Sequence, residues 1–464
     1  MKLLIRNIKI VLVIFLAMSL ALLAGLAIQQ YRSKKWFDIA AGENKAALKT
    51  RYANAGKIFD RNGSTLAESV DGVRLYAGDD LAAKAVLHLV GDYTHNIGNT
   101  IEARYQGQLL GTDRNFFHQL LLDFTGQGLK GDDVTLTVDS KLSKKAYQLL
   151  GDRRGAIVLL NYQTGAILAA VSSPSTSPES VIAFKNIPDT ALFNRALLGT
   201  YAPGSTFKIL TVTAWIESQI YDPELEVNCR GESTVNQNGA KEDGDGHGKI
   251  SLNAAFAESC NIFFGQLGAR LGLEQLQATA ASFGIGKKIT VDQLDIAASR
   301  IESADDPAVL SWLAIGQPTA DSILQITPLQ LAMMAGAIGN GGVMQQAHVV
   351  NYLTNPLGIT YQELRPHALM TVLDSRTAGM LEKLMVGATQ TGTGSAAAVK
   401  GCTVASKTGT VQVEEKKNTA LFVGYITNDE HPYAIAVIVE EGGSGGRTAA
   451  PIAGKMLSAA VAAE

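Results

Sequence analysis

Residues 201–208 read Tyr-Ala-Pro-Gly-Ser-Thr-Phe-Lys, and an apolar run with helical spacing follows at once. The Pro203-Gly204 pair interrupts whatever precedes it, so the pattern predicts a helix that starts here. Ser205 falls in its first turn and Lys208 one turn later on the same face. A serine hydroxyl is a weak nucleophile at neutral pH and needs a neighbouring base, which a lysine with a burial-lowered pKa can provide. The helix N-terminus adds backbone N–H groups and a positive dipole end where an oxyanion would develop. Taken alone, S-x-x-K also describes an N-cap serine followed by a solvated lysine.

Two further elements lie in order downstream. Ser259-Cys260-Asn261 follows a helical stretch, and Lys407-Thr408-Gly409-Thr410 falls on a strand candidate near the C-terminus. Together they offer a second hydroxyl to relay a proton, an amide to hold a substrate peptide, and a cation on a strand edge for a carboxylate. The glycine keeps side-chain bulk away where a substrate backbone would approach.

Around these motifs the chain reads as two strand groups separated by a long middle. Residues 155–161 and 166–171 form a hairpin of largely buried strands about Gln163-Thr164-Gly165, and 403–413, 419–427 and 433–440 are three more strands joined by short polar loops. The roughly 230 residues between are rich in Ala, Leu and Gln at helical spacing, as at 329–338 and 377–386, and an Ala-rich helix from Pro451 to Ala463 closes the chain. The expectation is an α/β (α+β) domain with a mostly antiparallel sheet flanked by helices. Residues 32–150 read as a smaller unit of short strands with turns at 60–63, 71–72 and 78–80. It ends in an alternating strand, 133–138, and a helix capped by Asp139 or Ser140.

The 464 residues, 46% of them hydrophobic, suffice for one large domain and a smaller one, and a net charge of −3 gives no electrostatic reason to expect nucleic acid. Three cysteines fit neither a disulfide framework nor a C-x-x-C site, and seven histidines show no zinc-hydrolase spacing, so no metal is expected. Between Lys9 and Arg32 there is no charge, and residues 10–28 as a helix would span roughly 28 Å of bilayer core. One membrane crossing is the reading, with a cleavable signal peptide as its rival. Basic residues flank both ends, so charge alone barely orients the helix.

With its three motifs in order, the chain resembles a class B penicillin-binding protein, the monofunctional transpeptidase group, whose fold is that of the serine β-lactamases. The likeness includes Gly56-Lys57-Ile58-Phe59-Asp60-Arg61-Asn62-Gly63, the stretch 98–111 with Glu102 and Tyr105, and the strand Thr135–Asp139. The resemblance implies a cytoplasmic tip and transmembrane anchor over 1–31, a pedestal or dimerisation-like domain over 32–150, and a transpeptidase domain over 151–464. It makes Ser205 the acylated nucleophile, Lys208 its base, Ser259 a proton shuttle and Asn261 a ligand of the donor peptide amide. Lys407, Thr408, Gly409 and Thr410 become the substrate-binding third wall, and the N–H groups of Ser205 and Thr410 the oxyanion hole. No cofactor is required. Peptidoglycan stem peptides, lipid-linked precursors and β-lactams are the implied ligands, and the catalytic domain lies outside the cell membrane. A region of about 120 residues ahead of that domain is too small for a glycan polymerase, which implies a polytopic glycosyltransferase partner.

Rival readings share parts of this pattern: a D,D-carboxypeptidase that uses water, a β-lactamase, or a non-catalytic β-lactam-binding scaffold. Cys260 reads as a small buried thiol with no histidine partner, and His247 in the acidic loop 242–248 as structural. Gly442–Gly446 reads as a flexible turn, Arg447 as a surface arginine with contact to a substrate carboxylate as the alternative, and Thr391–Gly394 as a loop without chemistry of its own. Gly316-Gln317-Pro318, where many relatives continue with glycine, is expected to touch no catalytic residue.

Overall fold

The structure, a computed structural model, describes residues 1–40, 50–242, 244–412 and 416–463, with backbone alone for 2–4 and 29–40. A five-stranded antiparallel sheet forms the centre. Its order is Val404–Val411, Thr419–Ile426, Tyr433–Val439, Gly155–Asn161, Ile167–Ser173. Every strand of it except the first ends within two residues of the span read from sequence; in the first, Val413 lies outside the described residues.

These strands read as unbroken apolar runs because both faces are covered. Alternate residues divide between two cores: Ala156, Val158, Leu160, Ala434, Ala436 and Ile438 join one cluster, while Ile157, Leu159, Ile435, Val437 and Val439 join the other. The first face carries the almost wholly buried helix Pro328–Gly339, and the second carries Ser140–Leu150 and the terminal helix Ala450–Ala462. The middle of the chain is less helical than its composition suggests. Besides helices it contains the hairpins Glu226–Cys229 with Gly248–Ser251 and Arg300–Ser303 with Ser322–Gln325.

The pedestal is built on a six-stranded sheet. Thr65–Val70 and Val73–Tyr76 pair beside Ile58–Phe59, which runs parallel to Asp133–Leu136. Two strands from far downstream, Val350–Thr354 and Thr360–Glu363, complete that sheet, so residues within the stretch read as transpeptidase domain fold with the pedestal. The first helix runs from Lys2 to Ala40, past the expected end of the anchor at residue 31. Its segment Ile5–Ile28, of mean hydropathy 2.8, has no residue buried against the rest of the protein, and among the described residues it alone has the length and apolarity to cross a membrane.

The pedestal motifs are mechanical joints. Asp60, fully buried, accepts N–H bonds from Asn62 and Ser64 on one oxygen and the Ser140 N–H and hydroxyl on the other, while Asn62 Nδ2 donates to Asp139. Asp139 itself caps the helix that leads into the catalytic core by accepting from Leu142 N. Glu102 accepts from Arg74 Nε at 2.8 Å with both side chains fully buried, and Arg74 also donates to the Gly56 carbonyl.

Removing one member of such a pair strands a buried charge. Glu102→Ala is therefore expected to cost about 3–5 kcal/mol, measured by equilibrium denaturation under circular dichroism. The double variant Arg74→Met, Glu102→Leu should recover most of that loss.

Candidate active site

Ser205 lies in a 3₁₀ turn, Gly204–Phe207, and Lys208 begins the α-helix Lys208–Ile216, so the two share a face as their spacing predicts. The turn is possible because Gly204 adopts φ +52°, with its N–H on the Gly316 carbonyl at 3.0 Å. Gly316 (φ +77°) crosses so closely that a β-carbon there would stand 1.9 Å from the Gly204 oxygen. The loop 316–318 thus packs directly on the turn that carries Ser205. Gln317 Nε2 also donates to the Thr410 carbonyl at 2.9 Å.

Ser259 occupies the junction between helices Leu252–Ala257 and Asn261–Ser282 at φ +62°, a left-handed conformation that costs a non-glycine residue on the order of 1 kcal/mol. This turn brings the two lysines together on one hydroxyl. Lys208 Nζ donates to the Ser259 carbonyl at 2.5 Å, to Ser259 Oγ at 3.2 Å and to Asn261 Oδ1 at 2.7 Å, and Lys407 Nζ donates to Ser259 Oγ at 2.8 Å. Each ammonium also faces an aromatic ring at 5.6 Å, Lys208 over Phe264 and Lys407 over Phe256. Burial, and then the charge of Lys208, hold Lys407 well below the ordinary lysine range.

These groups border a cleft of about 620 Å³ whose walls include Ser205, Ser259, Asn261, Thr408 and Thr410. The fully buried Lys407 stands behind that wall. Gly409 faces away from the cleft, where a β-carbon would lie 2.8 Å from the Pro203 carbonyl. It admits the Ser205 turn against the sheet edge, and the expected approach of substrate backbone does not explain it.

Three segments read as inert also contribute. Thr393 Oγ1 is 2.6 Å from Thr408 Oγ1, and Gly445 N donates to Thr410 Oγ1 at 3.2 Å. Arg447 joins Ser444 and Gly446 in the cleft wall. Among the residues the motifs did not suggest, Glu242 Oε1 accepts the N–H groups of Asn261 and Ile262, holding the helix N-terminus. Cys260, read as having no histidine partner, has His247 close by: ligand atoms of Cys229, Glu242, His247 and Cys260 all lie within 4.8 Å of one another.

The family model for the penicillin binding protein transpeptidase domain matches residues 155–458. The chain belongs to that family. Its relatives place it with the class B members. Peptidoglycan D,D-transpeptidase PbpA of Mycolicibacterium smegmatis is 30% identical over 455 residues, covering 90% of this chain and 91% of that protein. A D,D-transpeptidase domain from Eggerthella lenta superposes with TM-score 0.78 at 32% identity, over 89% of this chain and 99% of that one. Penicillin-binding protein A of M. tuberculosis, solved as a ceftriaxone acyl-enzyme, gives TM-score 0.79 at 28% identity over the same shares.

Lys407 carries a pH signature. Lys407 holds its proton more weakly in the folded chain than in the unfolded chain, where it titrates near 10.5. Between the depressed value and 10.5 the unfolded state binds the extra proton, so this group's contribution to stability rises with pH across that window. The thermal midpoint of the wild type, measured relative to Lys407→Met, should therefore climb as pH is raised from neutral toward the ordinary lysine value.

Proposed function

We propose that this chain is a membrane-anchored peptidoglycan D,D-transpeptidase that works through a serine acyl-enzyme. The observation that carries this reading is the convergence of Lys208 and Lys407 on Ser259, with Asn261 accepting from Lys208, in one cleft with Ser205 and within the fold of relatives named D,D-transpeptidases and captured as β-lactam acyl-enzymes. Ser205 Oγ attacks the carbonyl of the penultimate D-Ala, giving its proton to Lys208. A lysine can act as base only when neutral, and a second ammonium near Ser259 favours loss of a proton from the pair. Ser259 relays a proton to the departing D-Ala amine. An amine from a neighbouring stem peptide then resolves the ester, and the serine recovers its proton.

The Val404–Val411 strand lies at the sheet edge. In an antiparallel ladder a residue's N–H and C=O point to the same side. The Thr410 carbonyl meets Gln317 outside the sheet, so its N–H also faces the open edge, where with the Ser205 N–H it supplies an oxyanion hole. Because Lys407 is buried against Ser259, the substrate carboxylate meets the hydroxyls of Thr408 and Thr410, with Arg447 at the rim.

The apolar helix Ile5–Ile28 supports a single membrane crossing with the catalytic domain outside, where stem peptides are joined. Residues 155–458 carry the transpeptidase match, and we assign glycan polymerisation to a separate membrane glycosyltransferase that supplies strands from lipid-linked precursors.

Full-length protein in detergent, incubated with a fluorescent penicillin, should label stoichiometrically and lose the label slowly, while Ser205→Ala takes none. Rapid loss with drug turnover would point instead to a β-lactamase, and no label on folded wild type to a scaffold. Gly316→Ala should slow labelling about 10²-fold, the scale of a 1 Å displacement of a reacting group, without loss of helical circular dichroism.

A further inference from the structure

The pedestal carries a helix whose amphipathicity is reversed. Phe116–Phe124 buries only Leu122, and its polar side chains serve the inner side: His118 Nε2 lies 3.1 Å from Asn355 Nδ2, and Gln119 Nε2 donates to Asp123 Oδ1 and to the Gly128 carbonyl. Phe117 (78% exposed), Leu120, Leu121 and Phe124 (82%) fall at helical spacing along the opposite, outer side. A surface helix ordinarily turns such a stripe to the core. Gly126 (φ +72°) closes the helix, and Leu129, 85% exposed, lies in the returning segment.

The excursion that presents this ridge is clasped at its base. Arg114 and Asp132, both with buried side chains, pair at 2.5 Å, and Arg114 also donates to the Lys130 carbonyl. Both ends are tied to the place where the chain enters the pedestal from the first helix: Gly131 N donates to the Asn54 carbonyl at 2.9 Å, and Gly56 N to the Leu109 carbonyl at 2.8 Å. Beyond Ile28, where the apolar segment ends, residues 29–40 continue as helix for about 18 Å, and the step from Ala40 to Thr50 covers at most about 36 Å. The ridge therefore stands on the end of the pedestal that the anchor keeps near the bilayer.

We propose that Phe116–Phe124 and Leu129 form a second, interfacial membrane contact, seated in the headgroup and upper acyl region of the bilayer that Ile5–Ile28 crosses. The proposal takes that crossing from the reading above. An exposed apolar stripe marks a contact surface on a water-soluble domain. Phe and Leu side chains on a convex ridge, with no charge among them, match the apolar face of a helix that lies in the interface plane. Because the anchor already confines the pedestal, weak insertion suffices: the second contact forms at the high effective concentration of a tethered site. Two attachments fix the tilt of the pedestal, and with it the height at which the cleft meets substrate.

Full-length protein with Cys402→Ser, whose two remaining cysteines are buried, takes an environment-sensitive fluorophore at Thr125→Cys, exposed beside the ridge. Reconstituted in vesicles of phosphatidylethanolamine and phosphatidylglycerol, the probe should shift to the blue and be quenched by lipids spin-labelled near the top of the acyl chain. Adding Phe117→Ser, Leu121→Ser and Phe124→Ser should lower that quenching several-fold. Penicillin labelling in detergent should keep its wild-type rate, since these side chains lie outside both cores. Quenching that survives the three substitutions, or is absent while the chain resists alkaline carbonate extraction, would overturn the proposal. Quenching seen only with a second membrane protein present would replace the lipid with a protein partner. Release of the chain by carbonate would remove the crossing itself and the proposal with it, so the two failures are told apart.

Discussion

Two lysine side chains share one serine hydroxyl. Lys208 reaches Ser259 Oγ from the helix behind the nucleophile and Lys407 reaches it from the sheet edge, both fully buried. Burial, and then the charge of Lys208, hold Lys407 well below the ordinary lysine range. Much of the surrounding architecture is explained by the need to hold that arrangement. The left-handed Ser259 aims its hydroxyl between the lysines, Asn261 accepts from Lys208, and the faces of Phe256 and Phe264 take up part of the positive charge. Desolvation beside another cation weakens a lysine's hold on its proton, the property that a base for a serine hydroxyl requires.

The glycines at the site serve this geometry through close backbone approach. Gly204, Gly316 and Gly409 let three separate segments cross at van der Waals distance: the nucleophile turn, the 316–318 loop and the sheet edge. Gly445 does the same on the other side of the edge strand, where a β-carbon would lie 2.3 Å from the Gly409 oxygen. Along the sheet edge the cleft wall is backbone and the short hydroxyl side chains of Thr408 and Thr410, with Lys407 set behind it, while Lys241, Glu242, Asp245, Glu258 and Arg447 line the other sides.

The pedestal follows a different logic, in which long-range pairing is anchored by buried polar groups. Asp60 ties a tight turn to the cap of the helix that enters the catalytic core, and the Arg74–Glu102 pair closes the small sheet around a buried charge. Strands contributed from residues 350–363 lock the two parts of the molecule together. The stretch Gly56–Gly63, which looks like a sequence fingerprint, is in physical terms the place where Asp60 gathers N–H and hydroxyl groups that would otherwise be left unpaired.

Much was legible in the sequence because it depended on local spacing. The Ser205–Lys208 pair shares a face by covalent geometry alone, Asp139 is a helix cap by its position, and the central strands announce themselves as apolar runs because both their faces are buried. The apolar N-terminal helix, long enough to cross a membrane, is likewise a matter of length and composition. What the tertiary structure decided are meetings between residues far apart in the chain, which no local pattern encodes. These include Lys407 with Ser259 across 148 positions, Gln317 with Thr410 across 93, the downstream strands in the pedestal sheet, and His247 beside two cysteines. Composition and periodicity determine which segments form and which faces are apolar. The packing of those faces in three dimensions determines which polar side chains end up within bonding distance.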